Sequence, residues 1–238
     1  MLISLGLEIV DLGLFFRKEK VLVISDIHVG YEEYLNKLGV LVPRFQFQEL
    51  VKKLENIFKK TGKLDKIIVN GDLKHEFGTI SEQEWRETLK ILDLLIKNCN
   101  EVILVKGNHD TILGPIASKR NVKVVDSFVF SNNFFTHGDK IPKTKEFEKS
   151  KNVFIGHEHP SVSVRDGGRV ETFKCFLKGK WKSKILYVIP SLNMVTEGND
   201  ILKEGPLTPF LKGVNLRKFR AFLVSDKVYD FGELRNIA

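Results

Sequence analysis

The sequence predicts an α/β (α+β) fold built from two mixed β-sheets packed as a sandwich, with helices on the outside. Three observations carry that expectation. Over the first 110 of 238 residues, apolar strand-like runs alternate with amphipathic helical stretches in the order β-α-β-α-β. Beyond Pro115 the character changes to short strands separated by turn signals, as expected of a second sheet. Five apolar runs discharge His, Asp or Asn at their ends, and the carboxyl ends of strands are where such sheets hold ligands. With 42% hydrophobic residues the chain can bury one sizeable core, so residues 1–238 are expected to form a single domain.

Residues 5–16 alternate loosely and predict a short antiparallel pair turned at Asp11-Leu12-Gly13. The strand at 20–25 runs into Asp26-Ile27-His28. Period-2 spacing puts the Asp26 and His28 side chains on one side if the extended conformation continues that far. Helices are expected at 32–38 and 45–60, the second with Phe47, Leu50, Val51, Leu54, Ile57 and Phe58 as its apolar stripe. The strand at 66–70 leads into Gly71-Asp72-Leu73-Lys74-His75. Ser81-Glu82-Gln83-Glu84 has the form of a capping box and opens a helix that turns Trp85, Leu89, Leu92 and Ile96 inward, stopping near Asn98. The strand at 101–105 ends in Lys106-Gly107-Asn108-His109-Asp110. Short strands follow at 122–125, 127–130, 134–136, 153–155, 162–164, 170–176, 184–189, 219–224 and 227–229. Asn132-Asn133 and Asp166-Gly167-Gly168 are hairpin signals, and residues 202–213 read as a long loop.

The formal charge of +8 and a pI near 9.3 favour anionic partners such as phosphate esters or nucleic acid, against the plainer reading of a lysine-rich solvated surface. Cys99 and Cys175 are isolated, which excludes a zinc ribbon or a CxxC redox motif and fits buried small side chains in a reducing compartment. Glu8 and Asp11 interrupt the apolar N-terminus, and no run has the length of a membrane span. A soluble, cytoplasmic protein with no membrane partner is expected. Nothing in the sequence sets the oligomeric state, and a homodimer is left open.

All six histidines lie in the five strand-end loops, the last two being His137-Gly138-Asp139 and Gly156-His157-Glu158-His159. Imidazoles, carboxylates and one carboxamide converging there point to a metal site. Two divalent ions about 3.5–4 Å apart need a bridging carboxylate. Asp72, beside glycine at a central strand end, suits that role. Asp26, His28 and one histidine of the 157/159 pair can complete one metal; Asn108, His137 and the other histidine can complete the second. This donor set suits manganese first, with iron, zinc, nickel or cobalt as alternatives. Two dications carry +4 and the two carboxylates offset only half of it. The remainder suits a bridging hydroxide, available because metals lower the pKa of water to around 7, together with an anionic phosphoryl group. His109 is then free to protonate the leaving group. His75 can hydrogen-bond His109 and set its tautomer. Asp110 and Asp139 read as loop-shaping carboxylates, Lys74, Lys106 and Lys140 as solvated lysines, and Tyr31 and Phe77 as residues that can line the cleft.

Asp26-Ile27-His28, Gly71-Asp72, Gly107-Asn108-His109-Asp110, His137-Gly138 and Gly156-His157-Glu158-His159 resemble, in order, the five motifs of the calcineurin-like metallophosphoesterases. The resemblance implies a two-sheet sandwich with a di-metal centre at the strand ends. It implies Asp26, His28, Asp72 and His159 on one metal, Asp72, Asn108, His137 and His157 on the other, and His109 at the leaving group. Phosphoprotein phosphatases of this family carry Asp at the position of His75. SbcD-type nucleases carry Gly-Asp-Leu-x-His, as residues 71–75 do here. Asp26-Ile27-His28-Val29-Gly30-Tyr31 and Pro43-Arg44-Phe45-Gln46 further resemble the small SbcD-related archaeal phosphoesterases. The capping domain of true SbcD nucleases has no counterpart in these 238 residues, which turns the expectation toward a stand-alone phosphodiesterase or simple nuclease. The alternatives are a phosphomonoesterase or protein phosphatase, and a non-catalytic nucleic-acid-binding module. The last would tolerate loss of a ligand or of His109, and none is lost.

Overall fold

The computed structural model describes residues 1–42, 45–78 and 80–237; Pro43 and Arg44 of the archaeal-type stretch lie outside them. The first sheet contains β1 (Leu2–Ser4), β2 (Leu7–Val10), β3 (Gly13–Phe16), β4 (Val21–Ile24), β5 (Leu64–Asn70), β6 (Cys99–Val105) and β7 (Lys123–Val125), side by side in that order. β1 to β4 pair antiparallel and β4 to β7 parallel. The crossovers carry α1 (Tyr31–Lys37), α2 (Gln46–Thr61), α3 (Glu82–Asn98) and α4 (Leu113–Ser118).

The second sheet contains β8 (Phe128–Phe130), β9 (Asn133–Phe135), β10 (Asn152–Ile155), β11 (Pro160–Asp166), β12 (Arg169–Trp181), β13 (Lys184–Val188) and β14 (Asn199–Asp200), in the order β14-β11-β12-β13-β10-β9-β8. β15 (Arg220–Val224) and β16 (Val228–Glu233) form a hairpin on β12. The 13 residues of β12 serve two neighbourhoods: the first half pairs with β11, the second with β13 and β15. α5 (Lys145–Lys149), unexpected from the sequence, is capped by the Thr144 hydroxyl, which accepts from the Phe147 amide at 3.2 Å.

Alternation along the strands sorts the core into layers. In β4, Val21 and Val23 face the second sheet, while Leu22 and Ile24 face the helices. Between the sheets Phe154 lies stacked with Phe135 at 4.8 Å and with Tyr187 at 4.5 Å. Aromatic side chains buried this way typically cost about 3–5 kcal/mol when cut back to alanine. The outer face of the second sheet packs Phe134, Val153 and Leu186 against Phe147, Phe210 and Leu211.

The expected two-sheet sandwich is thus the observed one, and both hairpin signals sit at hairpins. Three local expectations are corrected. α3 buries Thr88, Ile91, Leu92 and Leu95, a stripe turned about one residue back from the expected one, and leaves Ile96 exposed. Within it Ile91, Leu92, Leu94, Leu95 and Ile96 crowd one stretch with only Asp93 between them, so periodicity alone sets no phase. Only half of the capping box forms: the Ser81 hydroxyl accepts from the Glu84 amide at 3.0 Å, while the Glu84 carboxylate turns elsewhere. Lys74 is fully buried rather than solvated, its ammonium donating to the Glu76 carbonyl. Among the described residues no helix is long and apolar enough to cross a membrane.

Candidate metal centre

The carboxyl ends of β4, β5, β6, β9 and β10 meet at one edge of the sandwich and deliver all nine site residues expected from the sequence. Asp26, His28 and His159 hold ligand atoms within 4.8 Å of one another, and so do Asp72, His137 and His157. Asp72 joins the groups, its Oδ2 lying 3.8 Å from His28 Nε2 and 3.2 Å from His137 Nε2. Asn108 enters the second group with Oδ1 2.8 Å from His137 Nε2.

The strands do not simply run on into these loops. Asp26, His28, Asp72, His157 and His159 have φ of 51°, 50°, 40°, 61° and 47°, the left-handed region that non-glycine residues seldom occupy. β4 stops at Ile24, so the period-2 argument for Asp26 and His28 fails; both point into the site because the backbone turns left-handed at each. Such residues typically cost about 1–3 kcal/mol each and persist where surrounding bonds over-determine them. Those bonds are present. The Asp26 amide donates to the Gly71 carbonyl at 3.1 Å and the His28 amide to the Asp72 carbonyl at 3.0 Å. The His157 amide donates to Asp26 Oδ2 at 3.1 Å, and the Ser25 hydroxyl to the same oxygen at 2.6 Å. A Cβ on Gly107 would overlap Asp72 Oδ1, and one on Gly156 would overlap Asp26 Oδ2, so both carboxylates occupy space that only glycine leaves.

The donor chemistry fits cations. His28 and His159 present Nε2 atoms 3.3 Å apart. His137 Nε2 faces Asp72 Oδ2, Asn108 Oδ1 and, at 3.0 Å, His157 Nδ1, more lone pairs than one N–H can serve. Its Nδ1 is buried without a hydrogen bond, 3.4 Å from Asp26 Oδ1. Burial opposes charge on His137, but the Asp72 hydrogen bond and the Asp26 and Asp72 charges outweigh it and hold the imidazole up at about 9. Burial likewise opposes ionisation of Asp26 and Asp72, and the neighbouring histidines overcome it and lower both. A buried, anionic pocket that holds a proton between two carboxylates is a place where a dication can substitute for that proton. His28, by contrast, is pushed well down by burial and stays a neutral donor.

His109 and His75 form a third group with His28. The His109 amide donates to Asp72 Oδ1 at 2.8 Å, which leaves Oδ2 for the two metal groups. His109 Nδ1 meets the main-chain carbonyl of His75, so the tautomer expected from the His75 imidazole is set instead by its peptide group. The His75 ring turns to His28, Nδ1 to Nδ1 at 3.3 Å, and burial lowers its pKa to about 4. Three carboxylates around the site act as braces. Asp110 accepts from the Gly107, Leu73 and Lys74 amides at 3.0–3.3 Å, the loop-shaping role expected for it. Glu84 accepts from the His75 and Glu76 amides at 2.7 and 2.9 Å. Glu158 points away from the metal groups and accepts from Leu207, Thr208 and the Asn199 carboxamide at 2.7–3.2 Å. Sequence reasoning missed Ser25, Glu84 and Glu158 in these parts. Glu158 stood in view between two histidines, but only the fold shows that it faces the 202–213 loop.

The sequence pattern of the calcineurin-like phosphoesterases matches residues 19–211. None of the curated proteins matches the chain in sequence. Among solved structures, nuclease MPE of Pseudomonas putida is similar at 20% identity and a TM-score of 0.61, over 92% of this chain and 90% of that one. The phosphoesterase YfcE of E. coli is similar at 15% identity and a TM-score of 0.42, over 84% and 86%. The likeness to nuclease MPE is in the fold; the sequence pattern is what shows descent. The chain belongs to the calcineurin-like phosphoesterases and is a metal-dependent hydrolase of phosphoesters.

Proposed function

We propose that this calcineurin-like phosphoesterase hydrolyses phosphodiester bonds of nucleotides or nucleic acid, using two divalent cations, manganese first among them. The observation that carries this reading is the placement of Asp72 between two buried donor groups, with His109 hydrogen-bonded to it through the backbone. Asp26, His28, Asp72 and His159 would hold one cation, and Asp72, Asn108, His137 and His157 the other. When bound, the cations supply positive charge toward the phosphoryl oxygens and bring water to ionisation near neutral pH.

The residues of the chain do the rest. Asp72 Oδ1 is held by the His109 amide, so the bridging carboxylate and the leaving-group histidine move as one unit. With His109 Nδ1–H on the His75 carbonyl, Nε2 is the atom that faces the departing alkoxide. It passes a proton only from the imidazolium form, which burial makes a readier acid by lowering its pKa, and the ring is left neutral. The preference for diesters rests on charge. The five motif loops contain no arginine, and Lys74 is turned to the Glu76 carbonyl. A monoester dianion would find no guanidinium clamp there, only the exposed Lys106 and Lys140 at the loop margins, whereas a diester carries one charge fewer. A net charge of +8 and the fold likeness to a nuclease support a nucleotide or nucleic-acid substrate. Hydrolysis of bis-p-nitrophenyl phosphate and p-nitrophenyl phosphate with Mn²⁺ tests this. Faster diester turnover, lost in Asp72→Asn, is expected; a strong monoester preference would identify a phosphatase instead.

A further inference from the structure

Phe77 belongs to neither metal group and is 59% exposed. Single solvated aromatics are ordinary, but this one lies on His109, ring centroids 3.7 Å apart and planes at 37°. His109 stacks with His75 at 5.1 Å and 27°, and His75 with Tyr31 at 4.0 Å and 22°. Four rings therefore run from α1 to the leaving-group histidine and end in solvent at Phe77. The backbone on either side of that ring is pinned. The Glu76 amide donates to Glu84 at 2.9 Å, the Glu76 carboxylate accepts from Lys37 at 2.8 Å, and the Gly78 amide donates to the Thr111 hydroxyl at 3.3 Å. A pinned aromatic loses little freedom on binding, which is what a recognition platform needs.

We propose that Phe77 is the stacking platform for an unpaired nucleobase next to the scissile phosphate, which makes single-stranded nucleic acid the substrate of this centre. The inference rests on the phosphodiesterase reading of the same site. An aromatic face accepts any base, because every base has a π-face, but only where that face is uncovered; in a duplex its neighbours cover it. Charge agrees: Lys106 and Lys140 are exposed in the loops that carry Asn108 and His137, and the whole chain is basic.

The test measures cleavage of a short single-stranded deoxyoligonucleotide with Mn²⁺ by the unsubstituted protein, Phe77→Ala, Phe77→Leu and Phe77→Trp. A matched strand with an abasic position beside the cleaved bond serves as comparison. Loss of one base stack predicts kcat/KM down about 5- to 150-fold in Phe77→Ala, carried mainly by KM. Phe77→Leu, apolar without a π-face, should lose nearly as much, and Phe77→Trp should recover. On the abasic strand the substitutions should have little effect, and 2-aminopurine at that position should be quenched by the unsubstituted protein and by Phe77→Trp but not by Phe77→Ala or Phe77→Leu. Cleavage unchanged in Phe77→Ala overturns the inference. So does an equal loss on intact and abasic strands, which would mean that Phe77 merely positions His109. If the unsubstituted protein cleaves neither the oligonucleotide nor bis-p-nitrophenyl phosphate with any divalent metal, the phosphodiesterase reading falls and the inference with it.

Discussion

The two sheets bring different chemistry to their shared edge. The first supplies every oxygen donor, Asp26, Asp72 and Asn108, together with His28; the second supplies imidazoles alone, His137, His157 and His159. Each donor group draws on both sheets, so neither sheet completes either group by itself. In the proposed assignment the oxygen donors set the charge and the bridge. Imidazoles from the facing sheet complete the groups and tie ligand geometry to how the sandwich packs.

The largest effect expected from breaking this division is at Asp72, the residue proposed to be shared by the two metals. Asp72→Asn should remove detectable bis-p-nitrophenyl phosphate hydrolysis while leaving a folded protein by circular dichroism. Next comes His109→Ala, with kcat lowered by about 10²- to 10⁴-fold on an oligonucleotide. The loss should be smaller on the nitrophenyl diester, whose leaving group needs little protonation; equal losses would deny the leaving-group role. On the second sheet, Glu158→Gln acts through the loop between His157 and His159, and calorimetric titration should show Mn²⁺ affinity weakened by roughly 10- to 100-fold. The smallest effect is on stability. Metal at about a hundred times its Kd contributes about 2.7 kcal/mol, which for a chain of this size raises Tm by roughly 5–10 °C. If ions bridge the sheets, Asp72→Asn should abolish that rise.

Much of this was legible because β4, β5 and β6 carry apolar runs, at 21–24, 67–69 and 102–105, that end abruptly in polar residues. The histidines were readable as a set, since no core role explains six of six at strand ends. What escaped sequence reading depends on backbone direction and on long-range bonds. No residue type announces that Asp26, His28 or Asp72 takes a positive φ, because those conformations are imposed by bonds to distant loops. Glu84 looked like the second half of a capping box, yet two amides of the His75 loop offered its buried carboxylate more than one amide at its own helix start. Lys74 looked solvated, since its burial becomes affordable only through a carbonyl two residues on.

The most direct test of the two-metal assignment is anomalous diffraction from crystals soaked in Mn²⁺. The account predicts two peaks, one among Asp26, His28, Asp72 and His159 and one among Asp72, Asn108, His137 and His157. A single peak, or one held by His28, His75 and His109, would contradict it.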